Sequence, residues 1–157
     1  MPQDWTLERL PPDSPHLDTV TRWTHDTWGH LNPALDFADR LAETRDECGE
    51  AGVPSVFVAM SGETPLGTAS LIVDDMSSRP ELTPWLASVF VLPEWRGRGI
   101  ASALVRRVEC EAREAGLERF YLYTPDQQAL YRRLGWRDVE SVDYRGETVT
   151  IMVREWP

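Results

Sequence analysis

Two hydrophobic periods alternate along the 157-residue chain. Leu17, Val20, Trp23 or Thr24, Thr27 or Trp28, and Leu31 recur at the spacing of one helix face and predict a helix over residues 17–31. Asn32-Pro33 interrupts it; Asn32 is placed to cap a second helix with Pro33 at its first position. That helix carries Leu35, Ala38, Leu41 and Ala42 and is expected to end near Gly49 to Gly52. A third helix, over 99–116, has the stripe Ile100, Ala101, Leu104, Val105, Val108, Ala112 and Ala115, with Gly116 as its stop. Elsewhere the pattern shortens to a period of two or becomes continuously apolar. It predicts strands over 4–10, 54–60, 66–74, 85–92 and 119–123, and a final pair over 137–144 and 147–154 around Arg145-Gly146. Thr124-Pro125-Asp126-Gln127 has the cap, proline and capping-box residues of a helix start, and Gly135 ends that helix. The order β-α-α-β-β-β-α-β-α-β-β, with one β-α-β crossover over 85–123, predicts an α/β fold. Its central sheet is mixed and partly antiparallel, with helices on both faces, in a single domain over residues 1–157.

Composition narrows the class. Hydrophobic residues make up 41% and charged residues 27%, the balance of a globular protein, and charges interrupt every apolar run before it reaches membrane-spanning length. The first ten residues, MPQDWTLERL, lack the basic-then-apolar order of a secretory signal, so a cytoplasmic protein with no membrane partner is expected. Residues 1–84 hold 15 acidic and 5 basic side chains, which accounts for all of the net charge of −10; residues 85–157 hold 11 of each. Every base is arginine. That acidic half disfavours nucleic acid and suits a cationic small molecule or peptide, although solubility alone also explains it. His16, His25 and His30 have no partner at ligand spacing, so no metal site is expected, and Cys48 and Cys110 are expected to be free thiols.

The candidate chemistry centres on residues 89–101, VFVLPEWRGRGIA. A strand that passes through a glycine turn into a helix N-terminus offers unpaired N–H groups and partial positive charge to phosphate. Ser102 occupies the third glycine position of a dinucleotide-binding fingerprint, and a chain without lysine has no Walker A loop. What fits is Arg-x-x-Gly-x-Ala from Arg96 to Ala101, preceded by Val91-Leu92-Pro93.

With these residues the chain resembles the GNAT family of N-acetyltransferases, whose acetyl-coenzyme A (acetyl-CoA) signature is [Q/R]-x-x-G-x-[G/A] after V-x-P. A second stretch, Ala129-Leu130-Tyr131-Arg132-Arg133-Leu134-Gly135-Trp136, resembles the family's A-x-x-x-Y-x-x-x-G-F pattern in shortened form. The order of elements is also the family's, so the resemblance covers nearly the whole chain. It implies that N–H groups from Arg96, Gly97, Arg98, Gly99, Ile100 and Ala101 hold the pyrophosphate of acetyl-CoA. Val89, Phe90 and Val91 would pair with its pantetheine arm, one of their N–H groups polarising the thioester carbonyl. The family's strand is bulged at this point, a feature with no visible signal in the sequence.

The resemblance further implies that Tyr131 protonates the leaving thiolate. A carboxylate is needed to deprotonate the acceptor amine: Glu81, in the loop before the 85–92 strand, is ranked first, ahead of Asp74, Asp75 and Glu94. Trp23, His25, Trp28 and His30 fall where the family builds its acceptor pocket, although the tryptophans also suit a core. Arg132 and Arg133 either approach the adenosine phosphate or cover the helix exterior. The implied activity is acetyl transfer from acetyl-CoA directly to a primary amine of a small, cationic acceptor, or to a peptide amine, with no metal. A non-catalytic acyl-CoA sensor and a nucleic-acid binder using the Arg-Gly turn are the rivals. The acyl-chain preference and a homodimeric state are left open.

Overall fold

The computed structural model describes residues 4–156. Its strands are β1 (Thr6–Arg9), β2 (Ser55–Ser61), β3 (Thr64–Ile72), β4 (Trp85–Val91), β5 (Arg119–Thr124), β6 (Arg137–Tyr144) and β7 (Glu147–Glu155). They form one sheet in the order β1-β2-β3-β4-β5-β7-β6. Every neighbouring pair is antiparallel except β4 and β5, which helix α3 (Ile100–Glu114) joins by a crossover. This is the mixed, partly antiparallel sheet expected from the pattern.

Both faces of the sheet are covered, which explains why β2 and β3 read as almost continuously apolar. Phe57 and Ala59 of β2 join Leu104, Val105, Val108 and Ala112 of α3 in the main core. The alternate residues Val56, Val58 and Met60 pack beneath Leu17 and Val20 of α1 (Leu17–Trp28) and Leu41 of α2 (Phe37–Glu47). The short helix α4 (Gln128–Arg133) contributes Tyr131 to the α3 side.

A polar link fixes α3 against β1. Glu111 of α3 accepts hydrogen bonds from Arg9 (2.7 Å), Arg107 (3.1 Å) and the Gly52 N–H (2.7 Å). Burial opposes ionisation of this carboxyl, but the Gly52 and arginine contacts outweigh it and hold its pKa below the ordinary value.

Three helix boundaries differ from those the sequence predicts. Helix α1 stops at Trp28, and Gly29–Leu31 tightens into a 3-10 turn. Asn32 does not cap α2. The Asp36 carboxylate accepts from the Asp39 N–H (2.9 Å) and Asp39 returns the bond to the Asp36 N–H (3.1 Å), a reciprocal capping box four residues downstream. Thr124 does accept the N–H groups of Asp126 and Gln127, but those bonds close a turn, and α4 begins only at Gln128.

Candidate functional site

The site begins with a defect in β4. Ser70 pairs with Ala87 and Thr68 with Phe90, so Ser88 and Val89 together face the single residue Ala69. Such a bulge needs one residue in an unusual conformation, and Ser88 has φ +58°. Gly67, next along β3, leaves room for the strand beyond the bulge, since a Cβ there would lie 2.7 Å from the Phe90 carbonyl. On the other side, β4 pairs with β5 at Trp85 and Tyr121 alone among the described residues. Beyond that point the two parallel strands part, while β5 stays paired with β7 along its whole length. Val89, Phe90 and Val91 line the opening that results.

That opening is a cleft of about 1290 Å³. One end is the turn into α3. Gly97 and Gly99 have φ values of +77° and +83°, and a Cβ on either would meet nothing within 4 Å. The backbone is therefore bare where a ligand would approach. Gly99 is the N-cap of α3 and supplies no side-chain bond, leaving first-turn N–H groups without a cap at the positive end of a 15-residue helix. This is a cradle of the kind a pyrophosphate requires.

The two arginines of the turn are arranged differently. Arg96 donates its Nε–H to the Val91 carbonyl (2.9 Å) and lies beside the Phe90 ring, fastening the turn to the strand end. Arg98 stacks over Trp95 with its guanidinium 4.5 Å from the ring and does not line the cleft. Arg96, Gly97, Gly99, Ile100 and Ala101 do line it.

Midway along the cleft is Tyr131. The residue is 7% exposed, its ring edge-on to Trp136, and its hydroxyl makes no hydrogen bond to another described residue. Burial, helped by the Asp126 charge, raises its pKa to about 12, so the hydroxyl keeps its proton at neutral pH.

The far end lies between the sheet and helices α1 and α2. Trp23 stacks on Phe90 with centroids 5.3 Å apart, behind the lining, while Trp28 and His30 line the cleft. His25 turns aside and packs edge-on against Phe37. The tip of the β6–β7 hairpin closes this end, with Arg145 donating to the Leu31 carbonyl (2.9 Å) and the Ser77 N–H donating to the Tyr144 hydroxyl (3.1 Å).

The carboxylates are placed otherwise than the sequence suggests. Glu81 is exposed on its loop, beside the Arg79 charge, and does not line the cleft. Glu94 is also exposed and absent from the lining, whereas Asp74 and Asp75 line it. Glu47, from the end of α2, lines it too. The sequence alone does not single out Glu47, because Arg40, Thr44 and Glu47 resemble a solvated helix face; the available signal is that this polar face repeats at i, i+4 and i+7. Arg132 is held by a two-pronged ion pair with Asp138, and neither it nor Arg133 lines the cleft. Among the described residues there is no group of three His, Cys, Asp or Glu able to hold a metal, and no helix is long and apolar enough to cross a membrane.

Residues 17–136, most of the chain and all of the cleft's glycine turn, match the model of the acetyltransferase (GNAT) family. The chain belongs to the GNAT acetyltransferases. Solved GNAT-type structures superpose on this member over nearly its whole length. The Salmonella typhimurium protein yncA, solved with its cofactor acetyl-CoA, is 22% identical with a TM-score of 0.72, covering 98% of this chain and 94% of that one. An acetyltransferase of Thermus thermophilus is 19% identical with a TM-score of 0.67, covering 98% of both chains. Aminoglycoside 6'-acetyltransferase type Ii is 17% identical with a TM-score of 0.72, covering 96% of both. At these identities the likeness concerns the fold. No curated protein sequence matches the chain.

Proposed function

We propose that this GNAT protein transfers the acetyl group of acetyl-CoA directly to a primary amine of a small, cationic acceptor. The observation that carries the reading is the joining of three features in one cleft: the bulged β4 parted from β5, the uncapped glycine turn, and the free Tyr131 hydroxyl. In this reading the N–H groups between Arg96 and Ala101 hold the pyrophosphate, and Val89 to Val91 pair with the pantetheine arm. A β4 N–H polarises the thioester carbonyl and Tyr131 protonates the departing thiolate. The acetyl-CoA bound by yncA supports the choice of donor.

Direct attack by the amine is favoured over an acyl-enzyme. Cys110 is exposed on α3. Cys48 is buried, donates to the Thr44 carbonyl, and has its pKa pushed up by burial to about 11, so it is not a thiolate at neutral pH. The cationic acceptor is supported by the charge at the far end, where Glu43, Asp46, Glu47, Asp74 and Asp75 outnumber Arg40 and Arg145. A sensor without catalysis would have no use for that second, acidic compartment.

Three four-carbon amines that differ in the distal group separate the possibilities. With 1,4-diaminobutane, butylamine and 4-aminobutyrate at equal concentration, thiol release should be most efficient with the diamine and at least about tenfold less efficient with the amino acid. Equal efficiencies, or preference for 4-aminobutyrate, would refute the cationic acceptor. Tight acetyl-CoA binding with no amine-dependent thiol release would favour the sensor.

A further inference from the structure

The acidic end of the cleft contains two carboxyl groups that the fold leaves without partners. Glu47 and Asp75 both line the cleft, and neither side chain makes a hydrogen bond or ion pair with a described residue. They are brought together from opposite sides, Glu47 by the last turn of α2 and Asp75 by the loop after β3. Both are half-buried, and neither has the arginine or backbone N–H that holds Glu111 elsewhere in this chain. Resting on the transferase reading above, we infer that Glu47, with Asp75 facing it across the cleft end, is the group that takes the proton from the bound acceptor ammonium.

The surroundings suit Glu47 to that role. Burial, reinforced by Glu43 and Asp46, raises Glu47 to about 7. Asp75 is raised well above its ordinary value, first by burial and then by the Glu47 charge, with Arg145 opposing. Each carboxyl thus makes the other harder to ionise, as expected for two acidic groups sharing one end of a cleft. The other charged and titratable groups that line this end are Arg40 on α2, His30 before it, Asp74 in the loop, Tyr123 on β5, and Tyr144 and Glu147 of the hairpin. Burial leads in raising the Tyr123 pKa, with Asp75 next, so that phenol stays protonated. The one nearby cation with a resolved influence, Arg145, is already tied to the Leu31 carbonyl. An aliphatic ammonium loses its proton near about 10.4, so a carboxyl poised at about 7 accepts that proton far better than one near about 4.3.

The proton balance closes. Glu47 takes one proton from R–NH3+, and the freed lone pair forms the C–N bond to the acetyl carbon. As the C–S bond breaks, the sulfur receives the Tyr131 proton. The second proton lost by nitrogen restores Tyr131, and Glu47 returns its own to solvent. One proton is released for each amide and thiol formed.

The test combines a pH profile with a titration that needs no turnover. With 1,4-diaminobutane, kcat/KM of the unaltered enzyme should rise about tenfold for each pH unit below about 7 and level off above it. Glu47→Gln should lower kcat about 100-fold and remove that limb, while acetyl-CoA affinity stays within about twofold. Asp75→Asn, which removes only the neighbouring carboxyl, should retain the limb and lose less than about tenfold in kcat. A limb that persists in Glu47→Gln, or disappears only in Asp75→Asn, overturns the assignment. Carbon-13 NMR of side-chain-labelled glutamate should show one carboxyl titrating near about 7 that is missing from Glu47→Gln. The absence of that signal overturns the inference whatever the activity. Failure of the unaltered enzyme to release thiol with any amine instead overturns the transferase reading itself.

Discussion

Gly99→Glu is expected to weaken acetyl-CoA binding by about 1000-fold while leaving the chain folded. Two effects combine. A glutamate at the N-cap of α3 puts negative charge where the helix end and the bare N–H groups attract a pyrophosphate, and φ +83° strains any residue with a Cβ. The fold should tolerate the change because Gly99 is exposed and its added Cβ meets nothing within 4 Å. Gly99→Ala separates the two effects: it introduces the strain without the charge and should lose only about tenfold in affinity. Calorimetric titration with acetyl-CoA measures both variants. Unchanged affinity in Gly99→Glu would remove the turn from the site.

Tyr131→Phe should lower kcat by about 1000-fold and leave acetyl-CoA affinity within about twofold. The ring packs against Trp136 and belongs to the main core, so phenylalanine preserves the packing and removes only the hydroxyl. That hydroxyl has no structural hydrogen bond to lose. With its pKa pushed up to about 12, it remains a proton donor across the pH range in which Glu47 titrates, so it adds no second limb to the profile below about pH 10. Pre-steady-state measurement of thiol release is the appropriate readout, since it isolates the step in which the C–S bond breaks. A fully active variant would assign Tyr131 to packing alone.

Much of the fold was legible because burial is written in spacing. The α3 stripe from Ile100 to Ala112 packs as its period indicates, and β2 reads as apolar throughout because α3 covers one face and α1 and α2 the other. Helix starts were harder. Asn32-Pro33 has the chemistry of a start but is consumed by the turn after Leu31, and the working cap is the Asp36–Asp39 pair. At the site, the glycine turn could be found because few structures other than a ligand cradle require Arg-Gly-Arg-Gly between a strand and a helix. The bulge could not. Ser88 carries no mark of φ +58°, and the displacement of β4 arises from tertiary pairing with β3. The choice among carboxylates also depended on tertiary structure. Glu81 is close in sequence to β4 yet faces solvent, whereas Glu47, far away in sequence, is carried into the cleft by α2.

The link between the two ends of the cleft is what makes it a transferase site rather than a binding slot. In the proposed reaction the glycine turn would hold the donor at one end and the carboxyls would receive the acceptor at the other, with Val89 to Val91 and Tyr131 also lining the cleft. The most direct measurement is a single reaction of the purified protein with acetyl-CoA, with and without 1,4-diaminobutane, in which free thiol and acetylated amine are quantified together. Equal amounts of thiol and N-acetyl product are expected with the amine, and almost no thiol without it. Thiol released at the same rate in the amine's absence would contradict that expectation, making the protein a thioesterase instead.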